Sequence, residues 1–158
     1  MKRSLIFSFL ACLLVIPAQA RLGETLGEMQ KRYGKPESQD RATKNAATWF
    51  LEGEEGELIF TATFDAKGKS IGEGLKPVRY AKFTNETVRI FIEMQLAPYR
   101  DSKTVHTAKP GEKYIFGGKQ YTASAGETVI VDDANDFLIV WTQSSTPMVM
   151  AVRSVMMH

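Results

Sequence analysis

The sequence predicts an α+β fold, an antiparallel β-sheet with two short α-helices packed on one face. Two stretches carry apolar residues at helical spacing, each with capping residues at its start and a stop signal at its end. Glu57 to Asp65 alternates with a period of two, and the other apolar stretches are short, with Gly, Pro, Asn and Asp clustered between them.

The first element in the chain is not part of that fold. Lys2 and Arg3 precede the apolar run Leu5 to Ile16, which is followed by Pro17 and Ala18-Gln19-Ala20. A basic start, a short apolar stretch and a small-x-small ending are the parts of a secretory signal. The run is too short to span a bilayer, which takes about 18 or more apolar residues. Residues 1–20 are expected to be a cleaved signal peptide, with a single α+β domain over residues 21–158. The product would be periplasmic in a double-membrane bacterium and secreted otherwise, with no stable membrane span after processing. Cleavage would remove Cys12, the only cysteine, so the domain would hold neither a disulfide nor a thiol. It would also remove Lys2 and Arg3 from a chain of 20 basic and 18 acidic residues, leaving the charges balanced. That balance argues against a nucleic-acid partner.

The domain opens with a helix. Thr25 and Glu28 have the spacing of a capping box, and Leu22, Leu26, Met29 and Tyr33 form one apolar stripe. Gly34 and Pro36 end it. Lys35 to Asn45 is polar and reads as a loop. Ala46 to Glu52 and Glu57 to Asp65 read as strands, the second alternating Leu58, Phe60, Ala62 and Phe64 with Ile59, Thr61 and Thr63. A third strand is expected within Val78 to Phe83. Asn85 to Leu96 is the second helix, capped by Thr84 or Asn85, with Val88, Phe91, Ile92 and Gln95 or Leu96 as its stripe and Pro98 as its stop. Further strands are expected near Thr104 to Thr107, Lys113 to Phe116, Lys119 to Ala123, Thr128 to Val131, Phe137 to Thr142 and Pro147 to Met156.

Each half thus reads as a helix followed by strands. Glu28-Met29-Gln30 returns as Glu93-Met94-Gln95, 65 residues on, and Trp49 and Tyr114 share that offset. A duplicated helix-plus-strands unit is one explanation, and chance recurrence is the other.

Gly23-x-Thr25-x-x-Glu28-Met29, then Tyr33-Gly34-x-Pro36, resembles the opening of small periplasmic domains of the SmpA/OmlA and β-lactamase-inhibitor-protein-like (BLIP-like) family. Trp49-Phe50, Phe64-Asp65 and Gly68-Lys69 follow in that family's order, over the first third of the domain. The resemblance implies a non-enzymatic module that works by protein contact, on a sheet face or a loop. The assembly-lipoprotein branch is acylated at an N-terminal cysteine of the mature chain, where this sequence has Arg21.

Residues able to carry chemistry are sparse. His106 and His158 are the only histidines, too few for a zinc site without carboxylates. His106 with Ser102 or Ser124 would lack the Gly-x-Ser-x-Gly elbow of a hydrolase. Asp132 to Asp136 offers oxygen ligands but lacks calcium-loop spacing, and it reads as a hairpin turn. At the C-terminus Met148, Met150, Met156, Met157 and His158 form a set of soft ligands suited to Cu(I). Core packing is the competing explanation for the methionines.

The function expected is a non-catalytic binding or structural module, without a cofactor, that meets another exported or envelope protein. Trp49, Phe50, Tyr114 and Trp141 are the candidate contact residues. The rivals are an enzyme using Glu93, Asp132 or Asp136, and copper handling through the methionine and histidine tail.

Overall fold

The computed structural model describes residues 21–39, 45–53, 56–79 and 82–157. The expected signal peptide and His158 lie outside these residues. The fold is α+β and mostly antiparallel sheet. In chain order its elements are α1 (Leu26–Tyr33), β1 (Ser38–Gln39), β2 (Ala46–Gly53), β3 (Gly56–Phe64), β4 (Ser70–Pro77), α2 (Asn85–Leu96), β5 (His106–Ala108), β6 (Lys113–Phe116), β7 (Lys119–Thr122), β8 (Glu127–Asp132), β9 (Phe137–Thr142) and β10 (Met148–Val152). Eight strands form one sheet in the order β1-β2-β3-β4-β10-β9-β8-β5, and β6 and β7 form a separate hairpin. From either edge inward, the main sheet therefore follows chain order, and β4 meets β10 at the centre.

The helix caps follow the local sequence. Thr25 accepts from the Glu28 N–H and the Glu28 carboxylate accepts from the Thr25 N–H at 2.7 Å, so two orphan donors are satisfied reciprocally. Gly34 takes a φ of 79°, a conformation that favours glycine, and closes α1. Thr84, not Asn85, caps α2 by accepting from the Thr87 N–H at 3.1 Å.

Three expectations need correction. The third strand is Ser70–Pro77, and Val78 and Arg79 lie beyond its end. Positions 80 and 81 fall outside the described residues. Gly72 and Gly74 stand where alternation would place apolar side chains, and they hide the strand from a pattern search. Ser38–Gln39 pairs with Thr48 and Ala47, so the stretch read as a loop contributes a short edge strand. The last strand stops at Val152, and Ser154–Met157 is a turn of 3-10 helix.

Register sorts the side chains onto two faces. Trp49, Phe60, Leu75, Val149 and Trp141 are successive cross-strand partners on the first face. That face contributes Trp49, Phe60, Ala62, Ile139, Val149 and Ala151 to a buried cluster that also holds Met29 of α1 and Val88 and Phe91 of α2. On the second face, Ala108, Val129, Val131, Leu138 and Val152 are buried with Tyr114 and Phe116 of the β6–β7 hairpin. The hairpin reaches only that end. Over β2, β3, β4 and β10 the second face carries Phe50, Ile59, Thr61, Thr63, Met148 and Met150, all exposed or half-buried.

Candidate functional site

The four aromatic candidates do not meet. Trp49 is buried on the first face, where its ring lies 6.0 Å from Tyr33 and 5.6 Å from Phe60 and its indole N–H donates to the Gly34 carbonyl at 2.9 Å. Trp141 is half-buried against the same cluster. Tyr114 stacks on Tyr121 at 5.6 Å inside the hairpin core. Phe50 alone turns to the second face, 47 % exposed beside Ile59 of β3.

Nor do the catalytic and calcium candidates converge. His106 is exposed on β5 and lines a hollow of about 620 Å³ with Thr104, Lys113 and Asp133. The Ser102 hydroxyl donates to Asp132 at 2.7 Å, and the Ser124 N–H donates to Glu127. The turn carboxylates diverge. Asp132 accepts from Ser102, Thr104 and Asn135, Asp133 from the Gly117 N–H, and Asp136 from the Ser154 N–H. Glu93 pairs with Arg89 on the exposed side of α2. Among the described residues no group of three His, Cys, Asp or Glu side chains is placed to hold a metal ion.

Two carboxyl groups are fully buried, and their surroundings move them in opposite directions. Glu73 lies on the first face of β4, 2 % exposed. Burial pushes its carboxyl up to about 7, against hydrogen bonds from Ser70 at 2.8 Å and Gln95 at 2.7 Å. Gln95 in turn accepts from the Leu22 N–H at 3.2 Å, and the Ser70 hydroxyl oxygen accepts from the Gly23 N–H at 2.9 Å. The buried acid thus anchors the chain just beyond the expected cleavage point. Asp132 also feels burial, but hydrogen bonds from Thr104, Asn135 and Ser102 outweigh it and hold its carboxyl below the usual range. Both arrangements satisfy buried polar groups.

The second face also carries a surface feature over β3, β4 and β10. Glycines 72 and 74 occupy adjacent same-face positions of β4, so a strip of backbone lies bare between its neighbours. Thr63 and Thr61 of β3 stand beside them on one side, and Val152 and Met150 of β10 on the other. The resulting trough has a volume of about 180 Å³, and Met148, Met150 and Met156 line it. A second hollow of about 590 Å³ adjoins it at Met148, bounded by Ile59, Lys76, Arg79 and Pro147.

No family model matches this chain. No curated protein matches it either. Among solved structures, a cysteine-rich secretory protein from Staphylococcus aureus subsp. aureus Mu50 is similar at 11 % identity and a TM-score of 0.46. The likeness covers 86 % of this chain and 46 % of that one, so this chain spans less than half the length of that protein.

Of the soft-ligand set, the structure brings together Met148, Met150 and Met156. Met157 is exposed outside the trough, and His158 lies outside the described residues. Met156 belongs to the 3-10 turn and not to the strand, and it curls back over β4. The three methionines line a surface trough, and Met150 also packs against the hairpin core, as core packing would have it. Sequence reasoning missed Gly72 and Gly74. The available signal was their period-two spacing between Ile71 and Leu75, because glycine inside a strand marks close approach of another group.

Proposed function

We propose that the protein is an exported, non-catalytic binding module that meets another exported or envelope protein through the uncovered end of its sheet. One observation carries this reading: the two ends of the second face are unequally covered. The β6–β7 hairpin buries Val129, Val131 and Leu138 and reaches Met150, while among the described residues Phe50, Ile59 and Met148 lie outside its cluster and are exposed or half-buried. An apolar sheet surface rimmed by Thr48, Thr61, Thr63 and Lys76 is suited to a protein contact. In this reading α1 and α2 are the cover of the first face, supported by Met29, Val88 and Phe91 sharing its buried cluster.

A duplicated unit fits the same picture. Each half supplies a helix and then four sheet strands laid from edge to centre, β1 to β4 and then β5, β8, β9 and β10. The β6–β7 hairpin would be an insertion in the second half, and Tyr114 would have no counterpart in the first. Export is supported by the leader pattern of residues 1–20.

The test is site-specific photo-crosslinking in the native host. A photoreactive residue at position 59 is expected to give a discrete adduct with one envelope protein, and the same residue at position 89 is expected to give none. Phe50→Asp is expected to abolish the adduct. Equal labelling from both positions, or none from position 59, contradicts the reading. Protein recovered from the envelope is expected to begin at Arg21, whereas cytosolic protein with an intact Met1 contradicts export.

A further inference from the structure

The trough has walls of an unusual kind. Its floor is the backbone at Gly72 and Gly74, and three thioether side chains lean into it from two elements. Met156 lies directly over the first glycine: a Cβ placed on Gly72 would sit 3.1 Å from the Met156 Cε and 3.6 Å from its Sδ. Met150 flanks the second, its Cβ 4.0 Å from a Cβ placed on Gly74. Met148 follows two residues earlier on the same face of β10, so it shares the wall with Met150. Met150 stands opposite Gly74, between Met156 over Gly72 and Met148 two residues further along β10, so Met148 and Met156 approach one ion by extending toward Met150.

These methionines are not placed as core residues. Met29 is fully buried, whereas Met148 and Met150 are half-buried and Met156 is 38 % exposed. The carboxyl of Glu73 is on the opposite face of the strand and donates no charge to the trough. The nearest polar groups are the hydroxyls of Thr61 and Thr63. A ligand set of neutral sulfur without carboxylate, imidazole or thiolate is poorly suited to Ca²⁺, Mg²⁺ or Zn²⁺. It matches a soft monovalent cation.

We infer that Met148, Met150 and Met156 form a thioether site for Cu(I), for which Ag(I) is a redox-inert probe. Met157 and His158 are not members of the site. Gly72 and Gly74 make it by leaving room for the sulfur atoms beside the strand. A thioether has no proton to lose, so binding is insensitive to mild acid, unlike binding by imidazole or thiolate. The site shares its methionines with the face proposed above for protein contact but needs no partner, because all three sulfur atoms come from this chain.

The experiment uses the full chain carrying Cys12→Ser, so that the leader thiol does not compete, with ¹³C-labelled methionine methyl groups and Ag(I) as titrant. Expected is one bound equivalent with a dissociation constant below about 1 μM. Methyl resonances of Met148, Met150 and Met156 shift, while those of Met29, Met94 and Met157 do not. Affinity at pH 5 stays within about threefold of that at pH 7. Each single Met→Leu change at 148, 150 or 156 weakens binding at least about tenfold, and Met157→Leu leaves it unchanged. Leucine keeps the side-chain volume, and thermal unfolding of the triple variant checks that it folds. Binding weaker than micromolar overturns the site, as does binding that survives in the triple variant. A shift at Met157, or a tenfold loss at pH 5, overturns it in favour of a tail site built on His158. If the triple variant does not fold, the methyl shifts of the parent chain decide.

Discussion

One face of one sheet carries two different surfaces. At the β5–β8–β9 end, Val129, Val131 and Leu138 are buried under Tyr114 and Phe116. At the β2–β3–β4 end, the corresponding positions are Thr61, Thr63, Gly72 and Gly74, with methionines beside them. Branched aliphatic residues fill a surface that another element covers, and they gain free energy from leaving water. Glycine and threonine gain little from a cover within the chain, whereas methionine gains about as much as an aliphatic residue. They leave space, offer hydroxyls and present adaptable side chains instead. The first end serves stability, and the second is the one we propose for an occupant.

The largest expected effect comes from removing the cover. Phe116 is 1 % exposed at the heart of the hairpin contact. Phe116→Ala is expected to cost about 3–5 kcal/mol in urea unfolding and to raise dye binding to exposed apolar surface. A cost under about 1 kcal/mol would mean that the hairpin is an ornament and the two ends are alike.

The next effect concerns Glu73, which interrupts the glycine pair and points to the other face. Its carboxyl is held at about 7 against an ordinary 4.5, so the folded state keeps its proton more tightly than the unfolded state does. The contribution of Glu73 to stability is therefore fully present below about pH 4.5, falls as pH rises to about 7, and loses about 3 kcal/mol across that window. Glu73→Gln is expected to abolish this slope, giving a gain over the parent that grows between pH 5 and pH 8. A gain independent of pH would refute the assignment.

Asp132 has the opposite sign. Its carboxyl is held below 3.8, so its contribution is present at neutral pH and is lost as pH falls through the lowered value. Asp132→Asn places an amide N–H against donors from Thr104 and Ser102 and is expected to cost about 1–3 kcal/mol at pH 7, shrinking below about pH 4. Opposite pH slopes at the two sites would match the stronger desolvation of Glu73 and the greater number of hydrogen bonds to Asp132.

The smallest effect on stability is expected at Gly74. A Cβ there would meet nothing closer than the Val149 carbonyl oxygen at 3.8 Å. Gly74→Val is expected to change unfolding free energy by less than about 1 kcal/mol, since valine suits a strand, while it fills the trough. Strong destabilisation would show that the glycine serves packing.

These contrasts also mark what the sequence made legible. The capping box at Thr25 and Glu28, the α2 stripe and the strands of the β6–β7 hairpin follow from local spacing, which chain order preserves. The β4 strand did not, because Ile71-Gly72-Glu73-Gly74-Leu75 puts two glycines on one face and an acid on the other. Its strand form comes from β3 and β10 on either side, partners distant in the chain. The candidate site was half legible. The methionines stood out by type, but the glycines that turn them from filler into a wall belong to the unrecognised strand. Met156 could be placed only once the turn at Ser154–Met157 was known.

The most direct check is a methionine oxidation footprint of the isolated full chain under limiting peroxide, read by mass spectrometry. Met148, Met150 and Met156 are expected to convert to sulfoxide well before Met29. Protection of Met148 and Met150 equal to that of Met29 would mean that this end of the sheet is closed, and would contradict a face left open for an occupant.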